Sequence, residues 1–317
     1  MTQTARAILL MILAVFCFST MDACAKAIAA ESNTVMALWA RYAGQTVLVL
    51  ILVAPRLRQV AKTNFPGLQL LRAICQLTAT SAFFFGLNHL GLAESTAIMD
   101  VNPVLITLAA ALFLGERLGP RRLLAIGAAL IGAMIIIRPG TEVFSPAAIF
   151  PLTAALAYSG FSIATRFIGG REDPWTSLLY SALLGALILT AILPGQWQMP
   201  SARTALLMLT LAGLGTAAQL LLIRALTLGE AAMLAPFSYA GLISATFWGI
   251  VLFGEFPDRP TVIGALVIVA AGVYVWHRET RAARAPGLAS LKAAPAPETA
   301  PATATTTPAR GADHRPE

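Results

Sequence analysis

Phe-Ser-Thr-Met-Asp-Ala-Cys-Ala-Lys at 18–26 and Tyr-Ser-Gly-Phe-Ser-Ile-Ala-Thr-Arg at 158–166 share an aromatic-Ser pair and a basic residue after six intervening positions, at an offset of 140. The likeness continues along the chain. Leu114-Gly115-Glu116 matches Phe253-Gly254-Glu255 at an offset of 139, and Ala125 and Ala133 match Gly264 and Gly272 at the same offset. Ala93-Glu94 matches Gly229-Glu230 less closely, at 136. The sequence is therefore a duplication. Each half holds five apolar segments, and five is odd, so the second copy enters a membrane from the opposite side to the first. Inverted-topology repeats of this kind are the architecture of many secondary transporters, whose two halves exchange conformations around a central site.

The composition supplies the solvent for this arrangement. Of 317 residues 57% are hydrophobic and 12% charged, and mean hydropathy is +0.75. Soluble domains carry about 25% charge, so lipid is the expected surroundings. A spanning helix needs about 20 apolar residues to cross about 30 Å of hydrocarbon. Ten such spans are predicted at 5–28, 34–54, 69–88, 92–114, 122–138, 146–166, 175–193, 203–225, 231–253 and 260–277. Breakers separate them at Pro55, Pro66-Gly67, Gly119-Pro120, Pro139-Gly140, Asp173-Pro174, Pro194-Gly195 and Pro257. The runs are too long and too evenly apolar for the alternating strands of a barrel. The fold class is thus an all-α integral membrane protein with ten transmembrane helices in two inverted repeats, 1–140 and 141–280, followed by a disordered Ala-, Pro- and Thr-rich cytoplasmic tail at 281–317.

The net charge of +7 belongs to membrane orientation rather than to nucleic acid, because the Lys and Arg lie between apolar runs or in the tail. With the N-terminus inside, thirteen basic residues flank spans on the cytoplasmic side against five on the other, which places both termini in the cytoplasm. Arg6 precedes an apolar stretch that runs on to Ala29 and contains Asp22 and Lys26, so the segment is expected to be the first span and not a cleaved leader. Cys17, Cys24 and Cys75 lie inside apolar runs without metal-ligand spacing and are read as packing residues. No P-loop, His-Glu-x-x-His or paired catalytic motif is present, so an enzyme is not expected, and neither a cofactor nor a metal is implied.

These residues resemble the drug/metabolite transporter superfamily, in its EamA-type ten-helix branch. The likeness rests on Leu71-Arg72-Ala73, on Gly91-Leu92-Ala93-Glu94 followed by Pro103 and by Leu-Gly-Glu-Arg at 114–117, and on Ile137-Arg138-Pro139-Gly140. Ala235-Pro236-Phe237-Ser238-Tyr239 and Phe-Gly-Glu-Phe-Pro-Asp at 253–258 complete it. The resemblance covers about 1–280 and implies transport of a small molecule across a bacterial inner membrane. Asp22 with Lys26, Arg41, Leu71-Arg72 and the Tyr239 motif also look like S-adenosylmethionine uptake carriers, and riboflavin permeases belong to the same branch.

An ionisable side chain at mid-membrane costs about 2.5–3.5 kcal/mol on insertion scales, so each is a candidate for function. Ser19, Asp22 and Lys26 fall on one helical face, as do Ser159, Ser162 and Arg166. Asp22 and Lys26, one turn apart, are placed to pair with each other or to handle substrate or a proton. Asp100 and Asn102 flank Pro103, and Asp100 departs from the family pattern, which marks it as a candidate specificity residue. Arg41 and Arg72 suit a carboxylate or phosphate. Gln76 shares a face with Arg72, Gln219 sits mid-span, and Tyr158 and Tyr239 are placed to stack on a planar or cationic ligand. Asp22 and Asp100 are the candidates for proton coupling. Glu116 and Glu255, each after Gly at a helix end, are read as structural.

Overall fold

The computed structural model describes residues 3–102, 104–106, 108, 120–138, 145–168, 171–228 and 234–292. Its principal helices are α1 (Gln3–Glu31), α2 (Thr34–Val53), α3 (Pro66–Gly86), α4 (Leu92–Met99) and α5 (Pro120–Ile137) in the first half. The second half contributes α6 (Ile149–Ile168), α7 (Pro174–Ile192), α8 (Ala202–Leu228), α9 (Ala240–Phe253) and α10 (Arg259–Lys292). Local chemistry sets their ends. Asn33 caps α2 by accepting from the Met36 amide, and Asp173 caps α7 by accepting from Trp175. Pro66 and Pro174 occupy first-turn positions where no amide proton is needed. Gly254 ends α9 in the left-handed conformation, at φ 67°.

Six of these helices are long and apolar enough to cross a membrane, and Ile126–Ile137, Phe237–Phe253 and Arg259–Tyr274 are shorter apolar helices. Leu124, Leu209, Ile243 and Leu266 point outward, as expected where lipid is the solvent. The molecule is a multi-pass helical membrane protein. The ninth predicted span is a 3-10 segment, Ala235–Tyr239, leading into α9. The tenth continues as helix past 281, where the tail was expected to start, to Lys292. The motif at 114–116, Gly229-Glu230 and residues 293–317 lie outside the described residues.

The packing has the symmetry of the repeat. Helices α1 and α8 pack antiparallel along their length, and so do their equivalents α6 and α3. Likewise α1 on α9 has its counterpart in α6 on α4, and α2 on α8 in α7 on α3. The pairs α2–α7, α5–α10 and α4–α9 join equivalent helices to each other. The correspondence reaches single atoms. A Cβ added at Gly215 would stand 3.0 Å from Met21 Sδ, and one added at Gly160 would stand 3.2 Å from Cys75 Sγ. Residues 75 and 215 are equivalent positions of the two halves, and Gly160 lies one position before the equivalent of residue 21. Each long crossing is therefore a sulfur seated on a glycine, which lets the two backbones approach closely.

A carboxylate near the end of the first helix of each half fastens it to the other half. Glu31, the last residue of α1, accepts from Thr204 Oγ1 at 2.7 Å and pairs with Arg203 at 2.9 Å, at the start of α8. Glu172, after α6, accepts from Thr63 Oγ1 at 2.5 Å, the Asn64 amide at 2.6 Å and Gln69 Nε2 at 2.5 Å, at the start of α3. Burial works against the Glu172 anion, but these bonds hold its carboxyl below the usual carboxylate range.

Candidate functional site

Between the halves lies a cavity of about 400 Å³, within the range of small-molecule sites. Asp22 reaches it from α1, Arg41 from α2, Arg72, Gln76 and Thr80 from α3, Tyr158 and Phe161 from α6, and Gln219 from α8. Residues 72, 76 and 80 are spaced by four, so helical geometry alone puts them on one face of α3. Phe83, Phe84 and Phe18 add aromatic surface, and the Tyr158 and Phe161 rings lie 5.2 Å apart.

The two arginines are held differently. Arg72 donates to Thr165 Oγ1 (2.9 Å), the Ser177 carbonyl (2.7 Å) and Ser181 Oγ (2.8 Å), and its guanidinium lies 4.5 Å from the Phe161 ring centroid. It is a tie from α3 to α6 and α7 of the other half. Arg41 is 8% exposed, yet among the described residues its only hydrogen bond is a weak one to Met21 Sδ at 3.3 Å. The rings of Tyr42 and Phe84 flank it at 5.7 and 5.8 Å, and its buried Nε has no acceptor. Asp22 is an electrostatic neighbour of Arg41 but makes no ion-pair contact with it. Gln76, 5% exposed, also keeps a buried, unpartnered Oε1. Buried polar atoms are normally satisfied, so the cavity wall holds a free donor and a free acceptor.

Of the ten sequence candidates the structure brings Asp22, Arg41, Arg72, Gln76, Tyr158 and Gln219 around this cavity. The other four lie elsewhere. Lys26 does not pair with Asp22. Its amine reaches across to Glu255, donates to the Leu90 carbonyl at 2.9 Å, and lies 5.2 Å from the Phe253 ring centroid. Glu255 in turn accepts from the Leu92 amide at 2.9 Å and so caps α4. Two oxygen acceptors from other elements outcompete a carboxylate on the lysine's own helix. Lys26 thus forms a node one turn beyond Asp22, joining α1, the α3–α4 turn and the α9–α10 turn.

Asn102 accepts from Ser159 Oγ at 3.0 Å, while Ser19 Oγ donates to the Gly241 carbonyl at 3.1 Å. Positions 102 and 241 are equivalent, as are 159 and 19, so these serines are matching pins at the middle of the fourth and ninth spans. Asp100 and Tyr239 are also equivalent positions and are electrostatic neighbours of each other, which places both close to the pseudo-twofold axis. The Tyr239 ring leaves no room for a side chain at Gly272, and Asp100 Oδ2 is buried without a hydrogen-bond partner among the described residues. Arg166 and Glu116 fall outside the described side chains. Thr80, Phe161 and Phe84 line the cavity and were missed from sequence, although the four-residue spacing from Arg72 pointed to Thr80. Among the described residues no three His, Cys, Asp or Glu side chains cluster to hold a metal, and the three cysteines are free thiols.

The EamA-like transporter family model matches residues 5–138 and again 145–276. The chain belongs to that family. The two matches coincide with the two halves seen in the packing. Among curated relatives of this EamA-family protein, a riboflavin transporter of Rhizobium johnstonii is 33% identical over 71% of this chain and 75% of its own. An S-adenosylmethionine uptake transporter of Rickettsia felis is 24% identical over 76% and 82%. A pseudopaline exporter of Pseudomonas aeruginosa is 26% identical over 83% and 93%. A crystal structure of a protein 22% identical superposes with a TM-score of 0.58, over 84% of this chain and 95% of that one, and shares the fold.

Proposed function

We propose that this EamA-family protein is a secondary transporter that moves a small polar metabolite across a bacterial inner membrane by alternating access. The observation that carries the reading is a cavity with charged and partly unsatisfied polar side chains in its wall, lying where two inverted halves meet. Proteins built this way expose a central site to alternate sides by moving one half against the other. The Lys26–Glu255 node lies one turn beyond Asp22, toward Glu31, and ties the two halves, so it is the contact that must break for that end to open.

The substrate reading leans to S-adenosylmethionine-like or other amino-acid-derived solutes, because charges of both signs line the cavity. The substrate-contacting set is Asp22, Arg41, Arg72, Gln76, Tyr158 and Gln219. Asp100, Asn102, Lys26 and Tyr239 act on the conformational change instead, and Asp22 or Asp100 carries any coupling proton. Both termini lie in the cytoplasm on the Lys and Arg asymmetry. A riboflavin or related vitamin or drug permease is the second reading, favoured by the aromatic wall and by the 33% identical relative. Uptake of labelled S-adenosylmethionine, riboflavin, amino acids and nucleotides into proteoliposomes tests the proposal. Time-dependent accumulation of one compound is expected, and folded protein that moves none of them contradicts it.

A further inference from the structure

We infer that Arg41, Asp22 and Gln76 form a subsite for the head group of an α-amino acid, with the rest of the ligand lying against Tyr158 and Phe161. The inference rests on the transporter reading only for the purpose of the site; the chemistry is argued from the cavity itself. Arg41 is a guanidinium nine-tenths buried, with no oxygen acceptor among the described residues and a free Nε donor. A buried cation without an anionic partner is costly, and a carboxylate is the group whose geometry a guanidinium fork matches. Arg72 is a poorer rival for that role, since Thr165, Ser177 and Ser181 already take its Nε and Nη1.

Asp22 lines the same cavity near Arg41 without an ion-pair contact. The two charges are thus close enough to sense each other and too far apart to neutralise each other directly. A zwitterion fits between them, with its carboxylate on Arg41 and its ammonium on Asp22. The orphaned Oε1 of Gln76 then accepts a second ammonium proton. The same cavity is also walled by Tyr158, Phe161 and Phe83, which suit a planar or thioether-bearing tail. A neutral, head-less planar molecule would leave both charges and both orphaned atoms unmet.

Binding to the full-length detergent-solubilised protein, measured by calorimetry, tests this with matched compounds. S-adenosylhomocysteine is compared with 5′-methylthioadenosine, which lacks the amino-acid head. L-Tryptophan is compared with tryptamine and indole-3-propionate, which lack the carboxylate and the ammonium respectively. At least one headed compound is expected to bind, and each of its truncated partners at least tenfold more weakly. Arg41→Lys and Asp22→Asn, checked for folding by their thermal transitions, are expected to abolish that preference. Equal binding of headed and head-less compounds, riboflavin binding untouched by either variant, or no binding by any headed compound overturns the assignment. Binding is read separately from flux: a headed ligand that binds but is not moved retains the subsite and defeats the transport reading. Riboflavin flux through an otherwise intact protein does the reverse.

Discussion

The two halves of the molecule are nearly the same in packing and opposite in chemistry. Met21 on Gly215 is repeated by Cys75 on Gly160, Ser19 to Gly241 by Ser159 to Asn102, and the Glu31 fastening by the Glu172 fastening. At the cavity the likeness stops. Among the described residues every charged side chain lining it comes from the first half: Asp22, Arg41 and Arg72. The equivalent positions of the second half are Ser162, Ser181 and Ala212, and that half offers Tyr158, Phe161 and Gln219 instead. What must move as a unit has kept its symmetry, because each crossing must be stable in either arrangement. What must recognise a single asymmetric molecule has lost it.

Substitutions at equivalent positions sharpen the contrast. The largest effect is expected at the charged wall. Asp22→Asn and Arg41→Met should fold yet lower transport at least tenfold, and Asp22→Asn should remove any pH dependence, whereas Ser162→Ala should leave the rate within about twofold; uptake between pH 5 and 8 reads all three. Unchanged uptake by Asp22→Asn across that range sinks its role. Next, Glu255→Gln should loosen the Lys26 node and raise maleimide labelling of Cys24, which is buried two residues from Lys26; labelling no faster than wild type would deny the node a closing role.

A packing change should act on both halves in the same direction. An added methyl at a tight contact costs about 1–3 kcal/mol, so Gly160→Ala and Gly215→Ala should both lower thermal stability. The first should cost more, since the short Cys75 side chain cannot swing aside as Met21 can. The smallest effect concerns Glu172. Its folded-state pKa is depressed, so its contribution is present above the ordinary Glu value of about 4.3 and is lost as pH falls through the lower folded value. Amide exchange at 63–69 should therefore rise below about pH 4 in the wild type, while Glu172→Gln should exchange faster already at neutral pH.

Much of the fold was legible because period and symmetry are carried in sequence. Apolar runs located the spans, and residues 18–26 and 158–166 exposed the duplication. The site was half legible. Asp22, Arg41, Arg72 and Gln76 announce themselves as polar residues in lipid. Whether such a residue faces the cavity depends on partners far away in the chain: Lys26 is claimed by Glu255, 229 positions on, and Asn102 by Ser159. Nor did spacing show that Arg72 is bonded to oxygen acceptors and Arg41 is not, since that difference rests on Thr165, Ser177 and Ser181 meeting one side chain across the interface of the halves. Cys75 was read as a packing residue and proved to be the knob of the α3–α6 crossing, while nothing in the sequence singled out Met21 as the knob of the α1–α8 crossing.

The most direct test of the central claim is counterflow in proteoliposomes loaded with an unlabelled amino-acid-headed compound, with the same compound supplied labelled outside. Transient accumulation of label above equilibrium, abolished in Arg41→Met and retained in Ser162→Ala, is the expected result. Folded wild-type protein that gives no counterflow with any compound of the panel, or counterflow that Arg41→Met leaves intact, would contradict it.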